Sequence, residues 1–160
     1  MPTDVFISTS PDETAKIARK FARRCLPGTV IALYGDLGAG KTVFAKGFAL
    51  GLGIESPVTS PTFTIVQEYE IPSVIEKNQK GKLYHIDLYR IESAADASVF
   101  GIEEFFCDPS SMTLIEWAER LGNKLPPETI HVRIEPNDEG EESDRKITFD
   151  IPSCFFKPQD

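Results

Sequence analysis

Eight consecutive residues, Gly35-Asp36-Leu37-Gly38-Ala39-Gly40-Lys41-Thr42, bring together glycines, a lysine and a hydroxyl in the order a phosphate cradle requires. They fit the P-loop pattern G-x-x-x-x-G-K-[ST] at every fixed position. Gly35, Gly38 and Gly40 let the backbone take turns that side chains would oppose, so that successive N–H groups can face an anion. Lys41 adds a point charge for the β- and γ-phosphates, and the Thr42 hydroxyl is placed to ligate Mg²⁺. Gly35 to Thr42, with Asp36, Leu37 and Ala39 between the fixed positions, is therefore the expected nucleotide-binding stretch.

Three further positions carry chemistry. Met112-Thr113-Leu114-Ile115-Glu116 is an apolar strand ending in an acid, the Walker-B arrangement, and makes Glu116 a candidate Mg²⁺ ligand or catalytic group. Asp87 lies in His85-Ile86-Asp87-Leu88-Tyr89-Arg90, where alternation puts His85, Asp87 and Tyr89 on one face. A carboxylate in such a strand needs a partner. That partner is Mg²⁺ or the attacking water in one reading, and Arg90 or a lysine in the other. Thr62, in the proline-punctuated Ser56 to Phe63 stretch, could reach Mg²⁺ or the γ-phosphate as a switch, or merely cap a local turn. His85 reads as a structural hydrogen bonder, and Trp117, the only tryptophan, as either a core or an interface anchor.

These groups need a scaffold that converges on the loop. Thr29 to Tyr34 is β-branched and apolar and predicts a buried strand; Lys41 to Leu52 spaces Phe44, Phe48 and Leu52 along a helical face that Gly53 can end. Upstream, Asp4 to Ser8 predicts a first strand. A helix follows with Ser10 as N-cap, Pro11 at its first position and Glu13 closing a capping box. Its Ile17, Phe21 and Cys25 form an apolar face; Lys16, Arg19, Lys20, Arg23 and Arg24 form a basic one, a solvated surface or a dock for an acidic partner. Phe63 to Ile71 and Lys82 to Ile91 predict a hairpin across the polar segment Glu76 to Gly81. Ser93 starts a short helix that Gly101 interrupts, and Phe100, Phe105 and Phe106 are expected in the core. Ile130 to Ile134 and Lys146 to Ile151 predict a last antiparallel pair around the acidic run Asn137 to Asp144, and the Cys154-Phe155-Phe156 tail is expected to pack back on the core. The reading is an α/β fold: one P-loop domain over 1–160, a mixed central sheet flanked by helices, an acidic loop at 136–145 and a tail at 152–160.

A chain of 160 residues can bury a core of its own, and a net charge of −8 argues against gripping nucleic acid directly. Three cysteines without a C-x-x-C pair suggest reduced thiols. Neither a leader nor a long apolar run is seen, so a soluble cytoplasmic protein is expected, with no membrane partner.

Taken together, Gly35 to Thr42, Ser60-Pro61-Thr62-Phe63, His85 to Arg90 and Ile115-Glu116-Trp117 resemble the bacterial TsaE (YjeE) family in order and spacing. The resemblance implies an ATPase required for threonylcarbamoyladenosine formation at the tRNA adenosine next to the anticodon. It implies docking on a TsaB–TsaD complex that ATP hydrolysis resets, with tRNA met only through that complex. It further implies Mg²⁺ on Thr42 and Glu116, a switch at Ser60 to Thr62, and a need for Asp87 and Trp117 in activity or partner contact. Nucleotide contacts are implied near Ser10 to Glu13 and at an arginine matched here to Arg145. The segment Pro72 to Lys80 and the acidic run are where the chain is most individual.

A small-molecule kinase is the main rival, but the expected arginine-bearing lid is reduced to Arg120. For a GTPase, Asn123-Lys124 is followed by Leu125-Pro126 where guanine recognition wants an aspartate. A nucleotide-gated scaffold without useful turnover is a third reading. With no evident arginine finger or water-positioning glutamine, hydrolysis is expected to be slow alone and faster with the partner.

Overall fold

In a computed structural model, residues 3–72 and 81–152 are described. The predicted 154–156 tail and most of the 72–80 segment lie outside those residues. Seven strands form one mixed sheet in the order β1-β7-β6-β2-β5-β4-β3. They are β1 (Thr3–Ser8), β2 (Val30–Tyr34), β3 (Val66–Glu70), β4 (Lys82–Asp87), β5 (Met112–Glu116), β6 (Ile130–Pro136) and β7 (Arg145–Asp150). The four central strands β6, β2, β5 and β4 run parallel, so their C-terminal ends share one edge of the sheet. Antiparallel β3 pairs with β4 on one flank, and β7 and β1 extend the other.

Helices α1 (Pro11–Ala22) and α2 (Lys41–Gly51) cover one face. Between them and the sheet, Phe21 meets Phe149 with ring centroids 4.8 Å apart and Phe48 at 6.0 Å. The two helices approach closely because Gly47 and Gly51 sit one turn apart on α2; a Cβ at either would run into the Ala15 or Arg19 carbonyl of α1. The opposite face is covered by α3 (Ala94–Val99) and by two 3-10 segments, Ile102–Cys107 and Ala118–Lys124. Their core includes Ala32, Ile86, Ile115, Ile102 and Leu121. On the β1 end of that face, Val5 and Ile7 remain 51% and 45% exposed.

Local signals held at the helix starts, with one difference. Ser10 Oγ accepts from Glu13 N at 3.1 Å, as an N-cap should, and Ser93 Oγ accepts from Asp96 N at 3.2 Å. The Glu13 carboxylate, however, turns to Thr9, accepting from its N–H at 2.6 Å and its hydroxyl at 2.7 Å, one residue before the capping-box position. These bonds hold its pKa below the usual value.

Three expectations are corrected. The strand predicted from Phe63 begins only at Val66, because Ile65 takes a left-handed turn at φ 69°. The strand predicted to Ile91 ends at Asp87, whose Oδ1 accepts the Tyr89 N–H at 2.9 Å in an Asx-type turn. Tyr89 thereby lies beyond the strand, although it still lines one cavity with Asp87. Phe100, expected in the core, is 55% exposed: α3 is only six residues long and buries Ala97 instead. Phe105 and Phe106 are half-buried against the second core, while Cys25 is buried and Cys107 exposed, both as free thiols. Burial pushes the Cys25 thiol well up. No helix among the described residues is long and apolar enough to cross a membrane.

Candidate nucleotide site

Strand β2 delivers the loop to the C-terminal edge of the sheet, and α2 begins from it at Lys41. Gly38 and Gly40 take left-handed φ values of 80° and 112°, the turns for which the sequence supplies glycine. Gly40 caps α2 without a side chain, so the N–H groups of the first helical turn are left for a ligand.

Lys41 is 5% exposed and folds back on its own loop. Its Nζ donates to the carbonyl oxygens of Gly35 and, at 2.9 Å, of Asp36, and lies 4.2 Å from the centroid of the Trp117 ring. Burial draws its pKa below the usual lysine value, against the opposing pull of Glu116, Glu119, Asp87 and Asp36. Trp117 reaches this position because its backbone turns left-handed (φ 59°) directly after β5. Such a turn costs a residue other than glycine about 1–3 kcal/mol and marks functional sites more often than ordinary loops. Tyr89 lies against the indole at 5.0 Å between centroids. Trp117 is thus a wall of the site, a role between the two that its sequence suggests.

The acids come from the neighbouring strands. Asp87 and Glu116 are directly paired in the β4–β5 register, at the strand ends nearest the loop, and are 4% and 2% exposed. Thr42 Oγ1 donates to Glu116 Oε1 at 3.2 Å. Asp87 Oδ2 accepts from Thr62 Oγ1 at 2.9 Å and Ser60 Oγ at 3.1 Å. The expected alternative, an Arg90 pairing, is not what Asp87 makes: the Arg90 guanidinium lies 4.2 Å from the Phe63 ring centroid. His85 reaches Glu116 from β4, Nε2 to Oε2 at 2.6 Å. It is a structural hydrogen bonder, as expected, but its partner is a site carboxylate.

Leu37, Gly38, Gly40, Lys41, Thr42, Ser60, Thr62, Asp87, Glu116 and Trp117 line one cavity of about 350 Å³, together with Val43 and Tyr89. A larger cavity of about 820 Å³ takes Gly35 and Asp36 from the start of the loop but opens along β6 and β1, and contains none of Lys41, Asp87 and Glu116. Glu13 and Arg145 line neither. Arg145 lies at the edge that carries the loop, paired in register with Ser8, and its Nη1 donates to the Glu142 and Asp144 carbonyls.

The donor set suits Mg²⁺. No group of three or more His, Cys, Asp and Glu side chains among the described residues could hold a metal by itself. One hydroxyl with one or two carboxylates, completed by phosphate oxygens and water, is how Mg²⁺ is commonly bound.

A strand, a glycine-rich loop and a helix at the edge of a mixed sheet, with an acid at the end of the adjacent strand, define a P-loop α/β protein. The family model described as "Threonylcarbamoyl adenosine biosynthesis protein TsaE" matches residues 8–147, and the chain belongs to that family. It is 42% identical over 142 residues to the tRNA threonylcarbamoyladenosine biosynthesis protein TsaE of Bacillus subtilis, covering 89% of this chain and 82% of that protein. The Treponema pallidum protein of the same name is 38% identical over 128 residues, covering 80% and 88%. The crystal structure of Bacillus subtilis YdiB superposes with a TM-score of 0.73 at 37% identity, covering 92% of this chain and 84% of that one.

Proposed function

We propose that this protein is an ATPase that binds ATP with Mg²⁺ and hydrolyses it to support threonylcarbamoyladenosine modification of tRNA, acting in the cytoplasm as a single domain on a TsaB–TsaD complex. Family membership supports the pathway. The observation that carries the chemistry is the bond from Thr42 to Glu116, which joins the end of the phosphate loop to the end of β5 beside Asp87.

In this reading the loop amides and Lys41 bind the phosphates, and Lys41 exchanges the Gly35 and Asp36 carbonyls for β- and γ-phosphate oxygens. Thr42 and Glu116 would hold Mg²⁺, with Asp87 either sharing that task or orienting the attacking water. A Mg²⁺ ion held by these residues would supply positive charge against the phosphate oxygens. Ser60 and Thr62, hydrogen-bonded to Asp87, couple their loop to the site and form the switch. Neither arginine nor glutamine lines the cavity, which favours slow turnover alone and stimulation by the partner complex. The acidic surface fits contact with tRNA only through that complex.

The test is phosphate release from ATP and GTP, with and without the TsaB–TsaD dimer and tRNA. Wild type is expected to prefer ATP and to be accelerated by the dimer, with Lys41→Ala and Glu116→Ala each falling about 10²-fold or more. If Asp87→Ala abolishes Mg²⁺-dependent turnover while Glu116→Ala spares it, the roles of the two acids are reversed. Phosphate appearing on a small acceptor instead of water would replace the ATPase by a kinase.

A further inference from the structure

The His85 ring is fully buried, and its Nε2 lies 2.6 Å from Glu116 Oε2. A carboxylate oxygen of an ionised glutamate can only accept, so Nε2 carries the proton and donates. Nδ1 is also buried and has no hydrogen-bond partner among the described residues. The whole polar engagement of the ring is therefore with Glu116, and a ring that served only to fill the core could be apolar at lower cost.

The sheet makes this bond a diagonal one. His85 is paired in register with Leu114 and Asp87 with Glu116, so the imidazole reaches one pleat along the shared face to meet the acid from behind. With Oε2 engaged there, Oε1 is left to the Thr42 hydroxyl. The two bonds together hold the carboxylate in one orientation.

We propose that His85 is a positioning residue for the divalent cation: it holds Glu116 so that Oε1 stands beside Thr42, and so sets the affinity of the site for Mg²⁺. This rests on the reading of Thr42 and Glu116 as Mg²⁺ ligands. Partners that hydrogen-bond a ligating carboxylate from outside the coordination sphere typically affect metal affinity by about 10–100-fold when removed.

The experiment is binding, without turnover. A fluorescently labelled ADP is titrated onto wild type, His85→Leu, His85→Met and His85→Gln, first in EDTA and then across a Mg²⁺ series. Leu and Met remove the donor with fillers of different shape; Gln can restore an N–H near the Nε2 position. The expected result is an approximately 10-fold or greater rise in the Mg²⁺ needed for half-maximal enhancement in the Leu and Met variants. Affinity in EDTA should stay within about twofold, and Gln should recover most of the loss. In a Glu116→Gln background, His85→Leu should add nothing, because the group it positions is no longer a carboxylate. An unchanged Mg²⁺ midpoint in whichever of the Leu and Met variants folds, or equal loss with and without Mg²⁺, overturns the proposal. Wild type that binds the nucleotide with no response to Mg²⁺ overturns the ligand assignment beneath it instead.

Discussion

The Lys41 ammonium stands 4.2 Å from the centroid of the Trp117 ring, with the Gly35 and Asp36 carbonyls completing its surroundings. The lysine that should meet the phosphates is thus satisfied by its own loop, and the indole face adds about 0.5–2 kcal/mol to that state. In the proposed function, nucleotide draws that charge away from the ring.

Because Trp117 is the only tryptophan, its emission would report such an exchange. Adding ATP or ADP should change the emission saturably. In Lys41→Ala the change should be largely lost and nucleotide affinity should fall at least about 10-fold, as expected for a charged hydrogen-bonding partner worth 1.5–3 kcal/mol. Emission that stays constant while equilibrium dialysis shows saturation would mean that the lysine never leaves the ring.

The loop at Ser60 to Thr62 is tied to Asp87 by two hydroxyl bonds on a single oxygen. Asp87→Ala should release both, and amide hydrogen exchange across 56–65 should quicken by about 10-fold or more, each bond to a charged acceptor contributing roughly 1.5–3 kcal/mol. Thr62→Val should give a smaller increase and Thr62→Ser almost none. Uniform exchange in all four proteins would show that the loop is held by its prolines alone.

A separate pH response belongs to β6, which lies between β7 and β2 in the sheet. His131 Nδ1 meets Tyr34 Oη at 2.8 Å, and burial, with the nearby Arg133 charge, lowers the His131 pKa from 6.5, Asp150 opposing. Above about pH 6.5 the ring is neutral in both states and its contribution is constant. As the pH falls through that value the unfolded chain takes up a proton that the folded ring resists, so stability falls until the folded pKa is passed. Urea unfolding between pH 7 and 5 should lose stability faster for wild type than for His131→Asn, by less than about 1.4 kcal/mol per pH unit. Parallel curves would mean that this ring does not titrate differently on folding.

Much of the site was legible because its signals are local. The glycines of the phosphate loop, the Ser10 cap and the apolar run into Glu116 each sit within a few residues of what they determine. Alternation also placed His85 and Asp87 correctly on one face. It carried the strand too far, to Tyr89 and beyond, because the Asp87 side chain, rather than any change in hydropathy, ends it. The His85–Glu116 bond spans 31 residues and depends on the register between β4 and β5, which no local pattern encodes. The same holds for Gly47 and Gly51, whose purpose appears only when α1 lies against them. Phe100 looked like core because hydrophobicity alone cannot say which side of a short helix faces inward.

The bond between Thr42 and Glu116 joins residues separated by 74 positions, across strands that pair only once β5 has been laid beside β2. Closing so long a loop is entropically unfavourable until the sheet itself compensates. No short local segment carries the site, whose lining residues run from Leu37 to Trp117. If the loop binds nucleotide as proposed, that ligand acts by mass action on the folding equilibrium, stabilising the completed sheet by RT ln(1 + [L]/Kd). In that reading the proposed substrate would also be a check that the protein has finished folding.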